Sequence, residues 1–408
     1  MHFLPYPPDS GAARRNLGFV REAARRHTVD VVAFVQRKTH PRGPAREAAI
    51  AALRQECNSL QVVEVEADRS PWHSASTLLR GVFSSQPFSS WRFRSSEMSR
   101  VLAQRFAEVR YDLIQVDTIA LMPVLRLPKG IPVALVHHNA ESDLMRKRVG
   151  VESGVLRKAY CWSEARRLRR LEARAMTSVA INIAVSEVDR QRLLEHVPRA
   201  RVEVLPNGTS LKAPAAERDA ARPTVLFAGP MTWLPNRDAA MFLCDEIFPL
   251  VLEEEPDALL RIVGAQPPDA LMRAAARHPS VNVVGYVDDY ARELASAQVF
   301  VAPFRLGGGT RLKILDAFAA SKALVSTSIG CEGLEVADGR ELLIADQPGA
   351  FATAIVRLLR EQTLRTKLVE GAREFVRTRH DWAVLGNEQE RLMRMSVDRH
   401  TEGALGTS

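Results

Sequence analysis

Residues 299–317 read VFVAPFRLGGGTRLKILDA. An apolar run ends at Pro303, three glycines stand at 307–309, and an amphipathic stretch begins near Thr310. The pattern predicts a buried strand, a tight turn and a helix. The glycines free the backbone to turn sharply and to approach a ligand closely. Behind them the helix start offers unpaired N–H groups and the positive end of the helix dipole, which suits an anion. Arg311 and Lys313 add charge suited to a diphosphate. Asp316 lies further into the helix, at a reach suited to accepting hydrogen bonds from a ribose diol. A plain strand-to-helix turn with two solvated cations would carry the same residues. The Gly-Lys-Ser/Thr ending of a Walker loop is missing.

The same beat extends outward. Strands are expected at 224–228 (TVLFA), 258–263 (ALLRIV), 281–284 and 323–326, with a helix around 238–252. Upstream, apolar runs at 29–35, 61–67, 111–116, 131–137, 180–185 and 202–205 repeat it. Continuous Val/Ile/Leu runs between helices indicate parallel strands covered on both faces. Alternating β/α twice over predicts two doubly wound α/β domains. The Ala-, Pro- and charge-rich stretch 211–223, LKAPAAERDAARP, is the expected seam. The expected domains are 1–212 and 213–381. Residues 382–408 form a helix packing back on the first domain and a frayed tail.

The chain has 408 residues, 46% hydrophobic and 25% charged, which excludes a disordered or collagen-like polymer. Lys and Arg number 56 against 48 Asp and Glu, a formal charge of +8. That excess suggests an anionic partner without choosing one. Cys57, Cys161, Cys244 and Cys331 are too far apart in sequence for a zinc ligand set or a redox pair. They read as free thiols in a reducing compartment. The first residues lack the pattern of a signal peptide, and no run approaches about 18 apolar residues. A cytoplasmic location is the expectation.

From Arg146 to Arg174 ten cations cluster, with Trp162, Leu168 and Leu171 among them. The simpler reading is a solvated helix face with Arg–Glu pairs to Glu152, Glu164 and Glu172. The other is a basic amphipathic surface for anionic lipid or a phosphorylated acceptor, with peripheral contact at the inner membrane face.

Four further motifs follow strand ends, where open α/β sheets bind ligands. Residues 6–15, YPPDSGAARR, place Gly11 and Arg14 in a loop before the first helix. Residues 136–142, VHHNAES, bring His138, Asn139 and Glu141 to one turn, where polar groups can converge on a substrate. The plain alternative there is a helix cap by Asn139 or Ser142 with His137 buried. HxxxH and HExxH spacings are absent, so no metal ligands are expected. Residues 204–209, VLPNGT, put Asn207 in turn chemistry. Residues 283–287, VVGYV, end a strand whose backbone at Tyr286 and Val287 could meet a flat base. The stretch 69–93, with Trp72, His73 and Trp91, reads as an acceptor lid or a packed loop.

In order, the glycine loop, HN, VSE (185–187), PNG, FAG (with Gly229), VxGYV and GGGTRLKxLDA resemble the retaining group 1 glycosyltransferases of family four. With HNAES and CEGL (331–334) the chain looks like the bacterial branch tied to exopolysaccharide, surface or tailoring glycosylation. The resemblance implies the GT-B fold, two Rossmann-like domains facing a cleft. It implies a hexosyltransferase-type enzyme that is metal-independent and uses no cofactor, with a nucleoside-diphosphate sugar as co-substrate. The acceptor would be a hydroxyl on a glycan, a lipid-linked molecule or a small molecule. Nucleic acid is not expected, for want of a recognition motif.

In this resemblance Asp316 takes the ribose, and Arg311 and Lys313 face the diphosphate with the N–H groups of Gly309 and Thr310. Tyr286 and Val287 present backbone to the base, His138 stands near the reacting sugar, and Gly11 closes over the phosphates. Asn207 and Gly229 belong to the donor side, Asn139, Glu141 and Arg14 to the acceptor side. Two departures stand out. Gly308 occupies the place of the family's first glutamate. Pro230, Met231 and Asn236 replace its Arg and Lys after the first strand of the second domain, shifting charge to Arg311 and Lys313, with Arg14 or Arg305 as further candidates. A GT-B phosphorylase, a nucleotide-sugar epimerase and a non-catalytic nucleotide-sugar binder are the alternatives.

Overall fold

The computed structural model describes all residues except 9, 69–71, 74–80, 82, 83, 153, 212–221, 307–311 and 406–408, and no side chain at 151 or 399–405. Two compact units emerge, Met1–Pro206 with Leu385–Ser408, and Asn207–Val384. Most of the expected seam lies outside the described residues.

The first unit holds α1 (Gly11–Ala24), β1 (Asp30–Val35), α2 (Pro44–Arg54), β2 (Ser59–Glu64), α3 (Ser96–Glu108), β3 (Ile114–Val116), β4 (Val133–His137), α4 (Glu141–Val151), α5 (Val155–Thr177), β5 (Ile181–Ala184), α6 (Glu187–His196) and β6 (Val202–Val204). Strands β3, β4, β5 and β6 form one parallel sheet in that order, and β1 pairs with β2 in parallel. The first residues run between the two. The Met1 amino group donates to Val32 O at 2.7 Å, and the Phe34 amide donates to Met1 O at 3.0 Å. On the other side the His2 amide reaches the Asp117 carboxylate just past β3, at 3.1 Å. Serine side chains start the helices where the sequence changes from extended to helical. Ser10 caps α1, Ser95 caps α3 and Ser186 caps α6, each accepting the amide three residues on.

The second unit holds β7 (Thr224–Ala228), α7 (Leu234–Phe242), a π-helical turn (Leu243–Ile247), α8 (Phe248–Glu254), β8 (Leu259–Val263), α9 (Asp269–Ala275), β9 (Val281–Gly285), α10 (Tyr290–Ser296), β10 (Val299–Ala302), α11 (Leu312–Ala319), β11 (Ala323–Ser326), β12 (Leu343–Ile344), α12 (Pro348–Arg360) and α13 (Gln362–Arg379). Its six parallel strands run in the order β12-β11-β10-β7-β8-β9. That order reverses direction between β7 and β10, the switch point at which doubly wound sheets open a ligand crevice. Strands β7, β10 and β11 are buried along their whole length, because helices cover both faces. One core joins Phe227, Phe300, Phe318 and Phe351.

The last helix, α14 (Trp382–Leu405), starts in the second unit and belongs to the first from Leu385 on. Gly386 lies so close to Glu22 of α1 that an added Cβ would stand 2.6 Å from its carboxylate. At the other end of the second unit, Thr209 bridges Asp381, and its amide donates to His380 O at 2.8 Å. The four cysteines are free, three of them buried. Among the described residues no helix is long and apolar enough to cross a membrane.

Candidate active site

In the first unit the strand ends gather a polar cluster around Asp117. Its carboxylate is buried and accepts from the His2 amide at 3.1 Å, the Asn16 side-chain amide at 3.0 Å and the His2 ring at 2.8 Å. Burial alone would raise its pKa, but the facing His2 and amino terminus outweigh that and hold it below the usual carboxylate range. The sequence reading missed Asp117, His2 and Asn16. A lone Asp after a strand carries no signal when its partner stands 115 residues away.

His137 and His138 leave β4 on opposite sides and have different fates. His137 is buried and bonds Asn182 Oδ1 through Nε2 at 3.0 Å, while its Nδ1 is buried without a hydrogen-bond partner among the described residues. His138 is half-buried, 6.2 Å from the His2 ring. Its Nε2 is buried and has no hydrogen-bond partner among the described residues. Burial first, and then the Arg15 guanidinium, pull its pKa down to about 4. A neutral imidazole with an open nitrogen is suited to hydrogen-bond a substrate hydroxyl.

Helix α4 opens directly after. Its N-cap is Ala140, without a side-chain cap, so the expected capping by Asn139 or Ser142 is not what holds it. Instead the Ser142 amide and hydroxyl donate to the buried Glu172 of α5, at 2.9 and 2.5 Å. That carboxylate pushes back on Glu141. Burial first, then Glu172, raise the Glu141 carboxyl to about 7, while a hydrogen bond from Asn139 opposes them. Gly11 forms the first turn of α1 behind the Ser10 cap, and Arg14 is half-buried in the same helix. Next to it, the fully buried Arg15 donates to Pro206 O at 2.8 Å.

In the second unit the ends of β7, β8 and β9 are laced together. The Gly229 amide donates to Val263 O at 2.8 Å, and the Gly264 amide to Gly285 O at 2.8 Å. Gly264 sits against Gly229 so closely that a Cβ would meet its carbonyl oxygen at 1.8 Å. Where cations were missing from the sequence, the structure has loop staples. Met231 is buried, and Asn236 is buried with its side chain donating to Pro230 O at 2.8 Å. Arg237, exposed in the first turn of α7, makes no ion pair among the described residues; the sequence reading gave it no role.

Tyr286 is exposed and follows Gly285, which takes a positive φ of 81°. Val287 is half-buried beside it. Lys313 and Asp316 lie one turn apart on α11, both half-buried, with the Lys313 ammonium 4.6 Å over the Tyr290 ring. Gly308, Gly309, Thr310 and Arg311 lie outside the described residues. Arg305, a further candidate for that charge, pairs its guanidinium with Asp238, at 2.8 Å, and Glu246, at 3.2 Å. Asn207 uses its backbone carbonyl to accept from His380 Nδ1 at 2.8 Å. Of the expected lid, much of 69–83 lies outside the described residues, and Arg94 stacks on Trp91 at 4.1 Å.

Family comparison matches residues 9–213 to the glycosyltransferase family 4 domain and residues 222–361 to the glycosyl transferases group 1 domain. A phosphatidyl-myo-inositol mannosyltransferase of Mycobacterium leprae is 30% identical over 69% of this chain and 71% of its own length. The chain belongs to the group 1 glycosyltransferases of family four. The fold of this glycosyltransferase is GT-B. Sucrose-phosphate synthase from Thermosynechococcus elongatus matches 93% of it and 91% of its own chain, with a TM-score of 0.66 at 19% identity. Anabaena HepE, solved in complex with UDP and glucose, matches 95% of it and 96% of its own chain, with a TM-score of 0.65 at 13% identity. For TarM the overlap is partial, 69% of the glycosyltransferase against 54% of that chain.

Proposed function

We propose that this glycosyltransferase moves a sugar from a nucleoside-diphosphate sugar to a hydroxyl acceptor, with retention of anomeric configuration and without a metal. The observation that carries the proposal is the pairing of Lys313 and Asp316 on α11. They stand one turn apart behind β10, beside the switch point of the sheet. An ammonium and a carboxylate so spaced match a diphosphate and a ribose diol. The donor phosphate oxygen takes the acceptor proton as the glycosidic bond forms, and cations stabilise the leaving diphosphate. The chain then needs no nucleophile of its own; it supplies position and charge. His138, uncharged at neutral pH, donates or accepts a hydrogen bond at the reacting sugar, with Asn139, Glu141 and Arg14 toward the acceptor.

The acceptor class we favour is lipid-linked, with peripheral membrane contact through the cationic stretch from Arg146 to Arg174 and a cytoplasmic location. It is supported by the phosphatidyl-myo-inositol mannosyltransferase relatives. The test is transfer by Arg311→Ala, Lys313→Ala and the double variant against a panel of UDP, GDP, TDP and ADP sugars. Each single change is expected to cost about 2–4 kcal/mol of transition-state stabilisation. Unimpaired transfer by the double variant overturns the assignment. Donor binding with neither transfer nor donor hydrolysis in the wild type would show a binding protein instead.

A further inference from the structure

We propose that the outward face of α5 is a docking surface for an anionic bilayer; this deepens the membrane contact of the proposed function and rests on it. Val155 and Leu156 open the helix at 83% and 87% exposure, and Trp162 follows at 56%. At about 100° per residue, these three fall on one arc of about 140° with Arg166, Arg169, Arg170 and Arg174. The opposite side carries Cys161, Glu164, Leu168, Glu172 and Ala175, all buried.

The acidic residues of α5 therefore face inward and are already engaged. Glu164 accepts from the Phe88 amide at 2.6 Å, and Glu172 from Ser142. Arg167 is engaged too, donating to Gly81 O at 3.2 Å and lying 3.8 Å from Glu164, whereas Arg166, Arg169, Arg170 and Arg174 face outward. Arg157, Lys158, Arg166, Arg169, Arg170 and Arg174 make no ion pair among the described residues. Arg166 instead lies 4.7 Å over the Trp162 ring, holding the indole at the cationic edge. Helix α4 behaves differently. Arg146 and Lys147 pair with Asp143, and Arg148 with Glu152, so their charge is largely neutralised. Of the ten cations in the stretch, Arg166, Arg169, Arg170 and Arg174 share one exposed face of α5 and make no ion pair among the described residues.

The chemistry of that face selects its occupant. A nucleic acid would match the arginines but gain nothing from Val155 and Leu156. A second copy of this chain would set like charge against like charge. A bilayer surface rich in acidic headgroups takes both halves: apolar side chains enter the acyl boundary while guanidinium groups meet phosphates. Beside this face, Arg170 and Arg174 line a recess with Gln86 and Met122.

The test is flotation of the full chain with phosphatidylcholine vesicles, with and without phosphatidylglycerol. Wild type is expected to bind the anionic vesicles at least about tenfold better than the neutral ones. Arg166→Glu/Arg169→Glu/Arg170→Glu should abolish that binding. Val155→Ser/Leu156→Ser/Trp162→Ser should weaken it and leave a residue removed by salt. Unchanged thermal midpoints in both variants will show that the fold is intact. Equal binding to the two vesicle types, or full binding by either variant, overturns the proposal. So does a drop in oligomeric mass in the serine variant with flotation intact, which assigns the face to a second copy. Donor-sugar hydrolysis in vesicle-free buffer, run on the same proteins, separates the two readings: its absence from wild type counts against transfer, while flotation still decides docking.

Discussion

Glu141 stands in the first turn of a helix, where a negative charge is ordinarily stabilised by the dipole. Here burial and the neighbouring Glu172 win, and the carboxyl titrates near 7. The linkage has a definite sign. Its folded pKa lies above the unfolded value of 4.5, so the proton it carries favours the fold at acid pH. Between about 4.5 and 7 that contribution is lost as pH rises. Glu141→Gln should therefore stabilise the protein at pH 8, on the order of 1–3 kcal/mol, and leave it nearly unchanged at pH 4. Thermal melts at the two pH values check this; equal shifts at both would contradict it. His138 tells the opposite story at the same turn. Held near 4, it is neutral through the physiological range, so no ionisation of His138 is expected to shape the pH–rate profile between 5 and 8. Replacing it with Asn should lower the rate without moving the profile's limbs.

At the scale of elements, the strand ends of the second unit show how closely the backbone is packed at the candidate site. Gly264 follows β8 and meets the carbonyl of Gly229 after β7. Gly264→Ala must push these two strand ends apart and is expected to cost roughly 2–4 kcal/mol, read as a lower denaturant midpoint with an unchanged slope. Much of this architecture was legible in the sequence because fully covered strands are continuous apolar runs; TVLFA, VFVA and ALVS fall where their composition puts them. The helix expected at 238–252 is instead split by the π-helical turn Leu243–Ile247, and periodicity does not register one extra residue per turn. The site was legible only in part. HNAES announced itself as polar residues after a strand, yet which histidine bonds across the sheet depended on Asn182 of the next strand. The Arg–Glu pairs read into 146–174 failed for Glu172 because burial turned it toward Ser142.

For the whole molecule, the division at Pro206/Asn207 and Val384/Leu385 makes the second unit a stretch of chain set inside the first. It has its own core and a complete six-stranded sheet. Residues 207–384 expressed alone should fold and unfold in one cooperative transition, seen by circular dichroism. A molten, non-cooperative product would show that the unit depends on the remainder. Its two ends are fastened to each other: the Asn207 carbonyl to the His380 ring, the Thr209 amide to the His380 carbonyl, and Thr209 to Asp381. A segment whose entry and exit are clasped at one place behaves as a cassette. Recombination that cuts at both crossings exchanges the whole segment, and on the donor and acceptor sides proposed above, donor preference is expected to travel with it.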